Sequence, residues 1–103
     1  MGDDMLMEIL VNSGNARSLA IEALRAAANG DFEAADANLK EADDVLLEAH
    51  EYQTELIQGE INGDKKVDIS LIVVHAQDHL MCGMAVIDLC KEFVEIMRAK
   101  AGK

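Results

Sequence analysis

Five residues in one short run carry side chains that can do chemistry: His75, Gln77, Asp78, His79 and Cys82. On a helix, positions four and seven apart stack along one line, so His75, His79 and Cys82 would share an edge. Three chemistries fit that edge. Hydrogen-bonded histidines in a polar seam are the plainest. Metal ligation is the second, since two His four apart can share a metal with Cys82 beside them. Ala76, however, stands where the helical protease motif has Glu directly after its first His. The third is covalent: a neutral imidazole is a nucleophile near neutral pH and can carry a phosphoryl group. Residue type and spacing leave all three open.

The elements that must position this edge are helices. From about residue 4 to 28, Leu6, Ile9, Ser13, Ala16, Ala20, Ala23 and Ala27 alternate three and four apart, which is helical periodicity. Asn29-Gly30-Asp31 then reads as a stop, a left-handed turn residue and an N-cap. A second helix, about 31–58, repeats the pattern at Phe32, Ala35, Leu39, Ala42, Leu46, Ala49, Gln53 and Leu56 and is predicted to end near Gly59. Gly59 to Lys66 reads as a surface loop. Asp68 or Ser70 can cap the third helix, about 69–99. The predicted fold is all-α, an antiparallel three-helix bundle forming one domain over residues 1–103, as the chain length suits.

The third helix carries two apolar stripes. Val73, Ala76, Leu80, Gly83, Ile87, Cys90, Val94 and Met97 form the stripe that packs on the first two helices. Leu71, Val74, Asp78, Met81, Ala85 and Leu89 lie nearly opposite, at about 100° per residue. A three-helix bundle leaves that second stripe exposed, so self-association is expected to bury it. Asp78 is a carboxylate in the middle of it, and several copies would converge there.

Composition limits the partners. The formal charge is −11, all of it in residues 1–63, while residues 64–103 are neutral. Such a chain repels phosphate backbones and anionic headgroups, which argues against nucleic-acid and membrane-surface roles. Aromatic residues make up 3% and Pro is absent, which suits helices more than sheets. The longest apolar stretch, around Ile69 to Val86, is broken by Ser70, His75, Gln77, Asp78 and His79, so no membrane insertion is expected. Cys82 and Cys90 are about 12 Å apart along a helix axis and cannot pair within it. With no apolar leader at the N-terminus either, a cytoplasmic location is expected. His50 and Tyr52 read as structural, and Met81, Met84 and Met97 as packing.

The run Ser70-Leu71-Ile72-Val73-Val74-His75-Ala76-Gln77-Asp78-His79-Leu80-Met81 resembles the phosphorylation-site helix of enzyme IIA of the lactose/cellobiose/chitobiose class, in the bacterial sugar phosphotransferase system. Asn12-Ser13-Gly14-Asn15-Ala16-Arg17-Ser18-Leu19-Ala20 resembles that family's first helix, and Gly30-Asp31-Phe32-Glu33-Ala34-Ala35 its entry into helix two. Glu48-Ala49-His50 with Gln53-Thr54 resembles the later part of helix two, so the likeness spans roughly residues 6 to 98.

The resemblance implies a parallel homotrimer of three-helix bundles, nine helices in all. It implies that His75 carries the phosphoryl group through Nε2, accepting it from the histidine-containing phosphocarrier protein. His75 would then pass the group to a cysteine of enzyme IIB, for sugar uptake and phosphorylation by the membrane component. His79 and Gln77 are candidates to position the imidazole or the phosphoryl group. No cofactor is required. Asp78, one per subunit at the trimer axis, is the candidate ligand for a divalent cation such as magnesium. The competing reading is a helical metal-binding module using His75, His79 and Cys82. A histidine phosphotransfer module of two-component signalling is a third. The sugar is not legible, because its choice resides in the membrane component.

Overall fold

The computed structural model describes residues 3–64 and 68–102. Three helices follow one another: α1 (Asp3–Ala28), α2 (Phe32–Asn62) and α3 (Leu71–Lys100). Among the described residues there is no strand. Their packing makes a rod 51 × 23 × 18 Å.

Local chemistry sets most of the boundaries. After α1, Gly30 takes φ 84°, and the Gly30 and Asp31 amides donate to the Ala27 and Ala26 carbonyls, both at 2.9 Å. Asp31 then caps α2 by accepting from the Ala34 amide at 3.0 Å. Ser70, rather than Asp68, caps α3, its hydroxyl accepting from the Val73 amide at 3.3 Å.

One boundary differs from the sequence reading. Helix α2 does not stop near Gly59 but runs to Asn62, so part of the expected loop is helix; Gly63 and Asp64 form the turn that follows, and the last two residues of the expected loop, Lys65 and Lys66, lie outside the described residues. An interior glycine costs a helix about 1 kcal/mol relative to alanine, a penalty that further helical hydrogen bonds can offset. Termination needs a residue at positive φ, and Gly63, at 77°, supplies it. The Gly63 amide donates to the Glu60 carbonyl and the Asp64 amide to the Gly59 carbonyl, which closes the end.

The core lies where the two interleaved periodicities place it. Leu6, Ile9, Ala16, Ala20, Ala23 and Ala27 of α1 are buried, as are Phe32, Ala35, Leu39, Ala42, Leu46 and Ala49 of α2. Ala76, Leu80, Ile87, Cys90 and Val94 complete it from α3. Alanines let the helices approach closely while Leu and Ile fill the intervals. Helix α1 packs along both neighbours, whereas α2 and α3 meet over a shorter stretch, which leaves an open seam between them. Polar ties cross that seam: Lys91 reaches Asp43 at 2.7 Å, and Arg98 pairs with Asp36 while lying over the Phe32 ring.

Gly83 faces α1. A methyl group placed there would meet the Ser13 carbonyl oxygen at 3.4 Å and the Ser13 Cβ at 3.8 Å, which is van der Waals contact without overlap. Gly83→Ala is therefore expected to raise stability, by about 0.5–1 kcal/mol from helix propensity and the reduced freedom of the unfolded chain. Urea unfolding measures it, and a loss of stability would show that α1 and α3 are closer than this geometry.

Burial pushes the Cys90 thiol above its ordinary range. A group whose folded pKa is raised keeps its contribution below the unfolded value and loses it as pH rises through the folded one. The bundle should therefore weaken as pH climbs past the ordinary thiol range. Cys82 is exposed on the chain and Cys90 buried. Alkylation in mildly alkaline buffer is expected to modify Cys90 only in denaturant, as counted by intact mass. Modification of Cys90 in the native protein at a free thiol's rate would contradict its burial.

Candidate functional site

Helix α3 presents three of its sides differently. Its core stripe faces α1 and α2. Opposite, Leu71 is 86% exposed, Met81 50% and Leu89 58%, and Val74, Asp78 and Ala85 are exposed with them. The second stripe seen in the sequence is thus a continuous uncovered apolar face with one carboxylate in it.

His75 and Gln77 flank that face on opposite sides, about 200° apart at 100° per residue. On the α1 side, His75 is exposed and His79 half-buried, their rings edge to face with centroids 4.5 Å apart. Both line a cavity of about 260 Å³ with Arg17, Asp78 and Cys82. On the α2 side, the buried Gln53 donates its amide to the Gln77 oxygen at 2.5 Å and lies 3.3 Å from the Met81 sulfur. The structure therefore brings His75, His79, Asp78 and Cys82 together and turns Gln77 away from the histidine of its own chain.

The helix end contributes little direct contact at His75. The Val73 amide is taken by the Ser70 hydroxyl and the Val74 amide by the Ser70 carbonyl. What reaches a group on His75 is the field of the helix amino end, which is strongest within the first turn.

The zinc-type reading of His75, His79 and Cys82 finds no support in this geometry. Among the described residues no group of three His, Cys, Asp or Glu side chains is placed to hold a metal ion. Stacking along one edge aligned the three residues without converging their donor atoms, and the two imidazoles meet ring to ring. His50 is exposed on α2 and lines a separate groove with Leu46, Leu47 and Met84. Tyr52 packs against the core.

Two residues of this region escaped the reading of α3. Gln53 follows the buried periodicity of α2, and its polarity there was the available signal. Arg17 comes from α1, and its signal was scarcity, as residues 1–63 hold only three basic side chains.

Among the described residues, no helix is long and apolar enough to cross a membrane. Residues 4–98 match the family described as the lactose/cellobiose-specific IIA subunit of the phosphotransferase system. The chain is 46% identical over 94 residues to the lichenan-specific phosphotransferase enzyme IIA component of Bacillus subtilis, covering 91% of this chain and 84% of that one. Its fold is similar to the crystal structure of the cellobiose-specific enzyme IIA from Bacillus anthracis, with TM-score 0.86 and 41% identity over 100% of this chain and 95% of the other. It is also similar to a chain of the IIA(Chitobiose)–HPr complex from the N,N'-diacetylchitobiose branch of the Escherichia coli phosphotransferase system. That match has TM-score 0.80 and 41% identity, covering 96% of this chain and 95% of the other. With a family match across nearly the whole chain and relatives well above the identity at which fold and family part company, the chain belongs to the lactose/cellobiose-specific IIA family and is a sugar-specific phosphotransferase component that acts with partner proteins.

Proposed function

We propose that His75 is the phosphoryl carrier. The observation that carries this reading is the exposure of His75 in the lining of a cavity between α1 and α3, shared with His79 and Arg17. Its Nε2 attacks the phosphorus of the donor, the histidine-containing phosphocarrier protein. His75 attacks as its Nδ1–H tautomer and keeps that proton; a new N–P bond forms as the donor's N–P bond breaks, and the donor imidazole, protonated on its other ring nitrogen, leaves neutral. In the second half-reaction the cysteine thiolate of enzyme IIB attacks the same phosphorus and the His75 imidazole departs. The site needs alignment of donor, phosphorus and acceptor more than new covalent machinery. A partner with this role is supported by the structural relative captured with HPr. A cytoplasmic site of action fits a component whose structural relative pairs with HPr.

The uncovered stripe of α3 supports assembly as a parallel homotrimer, in which three copies of that stripe meet. His75 then lies in a groove between subunits. In a cyclic arrangement the α1-side flank of one α3 faces the α2-side flank of the next, which places Gln77 toward the neighbour's His75. His79, edge to face with His75, would orient the imidazole.

Asp78 in one chain is a lone carboxylate and makes no cation site by itself. Three copies at an axis would offer only oxygen donors, a set that fits a hard divalent cation such as magnesium with water completing the shell. Bound there, such an ion would neutralise the converging carboxylates. No cofactor enters the transfer chemistry itself.

The sugar stays unassigned. Relatives of similar identity are named for lichenan, cellobiose and chitobiose, and no residue of the cavity contacts a sugar in the proposed reaction. Incubation with the general phosphotransferase proteins and phosphoenolpyruvate, followed by intact mass, tests the function. One acid-labile phosphoryl group per chain is the expected result, and no adduct would overturn the reading.

A further inference from the structure

The −11 chain would become more negative still when a phosphoryl group joins His75, because that group brings about −1.5 to −2 at neutral pH. It would arrive in a cavity that Asp78 also lines. Arg17 is the only cationic side chain in the cavity lining apart from the histidines.

The placement of Arg17 is not accounted for by the fold. The other two cations of residues 1–63 have evident roles: Lys40 pairs with Asp44 at 2.9 Å, and Arg25 stands in the last turn of α1, where a positive charge suits the helix end. Arg17 is in the middle of α1, where the dipole offers it nothing. Among the described residues it forms none of the ion pairs. It is exposed and shares the lining of one cavity with His75. A guanidinium presents several N–H donors in a planar fork that matches two oxygens of a phosphoryl group, and it keeps its charge throughout.

We propose that Arg17 is the phosphoryl-binding residue of this site, its guanidinium donating to the non-bridging oxygens as the group passes to and from His75. The proposal rests on the assignment of His75 as carrier. Arg17 gains and loses no proton in the transfer. It offsets the charge on the phosphoryl oxygens while the N–P bonds exchange. It also ties α1 to a reaction otherwise confined to α3.

Arg17→Ala is the test. Alanine is a good helix former at an exposed mid-helix position, so helicity and sedimentation are expected to match the wild type. With the phosphorylated carrier protein as donor, the maximal rate of His75 labelling should fall about tenfold, the scale of one charge-assisted hydrogen bond lost at an exposed site. The donor's KM should change little. Arg17→Lys should recover part of the rate, since it keeps the charge and loses the fork. Millimolar guanidinium chloride should partly rescue Arg17→Ala, while equal sodium chloride should not. The 31P resonance of phosphorylated Arg17→Ala should be displaced from that of the wild type. Wild-type rates in Arg17→Ala would overturn the proposal. So would a loss confined to KM and indifferent to guanidinium, which would make Arg17 a docking residue for the carrier. Wild-type protein whose label maps by peptide mass to a residue other than His75 would instead overturn the assignment on which the proposal rests.

Discussion

His75→Gln is expected to lose all phosphoryl acceptance while helicity and sedimentation stay those of the wild type. The side chain is exposed at the edge of α3, so its removal takes nothing from the core formed by Ala76, Leu80 and Ile87. Glutamine keeps hydrogen-bonding capacity in the cavity but has no nucleophilic nitrogen lone pair, which separates covalent attack from local polarity. The measurement is intact mass after incubation with the general phosphotransferase proteins and phosphoenolpyruvate. His79→Ala should still be labelled, only more slowly, because its imidazole touches the His75 ring rather than the phosphorus. Equal labelling of His75→Gln would exclude His75. Loss of label confined to His79→Ala would mean that the other imidazole carries the group.

The second large effect is expected at Asp78. In the proposed trimer three carboxylates meet in an apolar layer between Val74 and Met81, and converging like charges taken out of water are strongly unfavourable without a cation or protons to relieve them. Asp78→Leu removes that repulsion and continues the stripe. Burying a leucine side chain contributes about 1.5–3 kcal/mol, and it does so in each of the three subunits. The trimer should therefore resist dilution far better than the wild type and lose its dependence on divalent ions. Sedimentation of both proteins at neutral pH, with and without chelator, measures this. Should the leucine variant dissociate while the wild type remains trimeric in chelator, Asp78 does not converge on an axis. His75 is retained in the variant, so labelling provides the control for an intact site.

These two residues lie on one helix, and that is why the sequence exposed them. Helical periodicity relates residues three and four apart, so the core stripe, the uncovered stripe and the His75–His79 edge were all legible within α3 before any fold was known. The caps followed the same local logic: Gly30 and Asp31 between α1 and α2, Ser70 at the start of α3. Where two glycines competed to end α2, local chemistry alone did not decide. Gly59 and Gly63 are similar as residue types, and the winner is the one whose positive φ completes the closing hydrogen bonds.

Tertiary structure decided what crosses between helices. Nothing in the spacing of α3 relates Gln77 to Gln53, 24 residues away, yet their hydrogen bond commits Gln77 to the α2 side. Nothing in α1 distinguishes Arg17 from a solvated surface arginine until the packing of α1 on α3 brings it into the lining of the cavity that His75 also lines. The physical reason is register. Periodicity determines which face of each helix is buried, but the relative slide and rotation of two packed helices set which exposed residues become neighbours along their rims. The amino-acid sequence by itself determined the helices, their buried faces and the place of the His75–His79 edge on α3; the packing alone decided that Arg17 joins that edge in one cavity and that Gln77 turns toward α2.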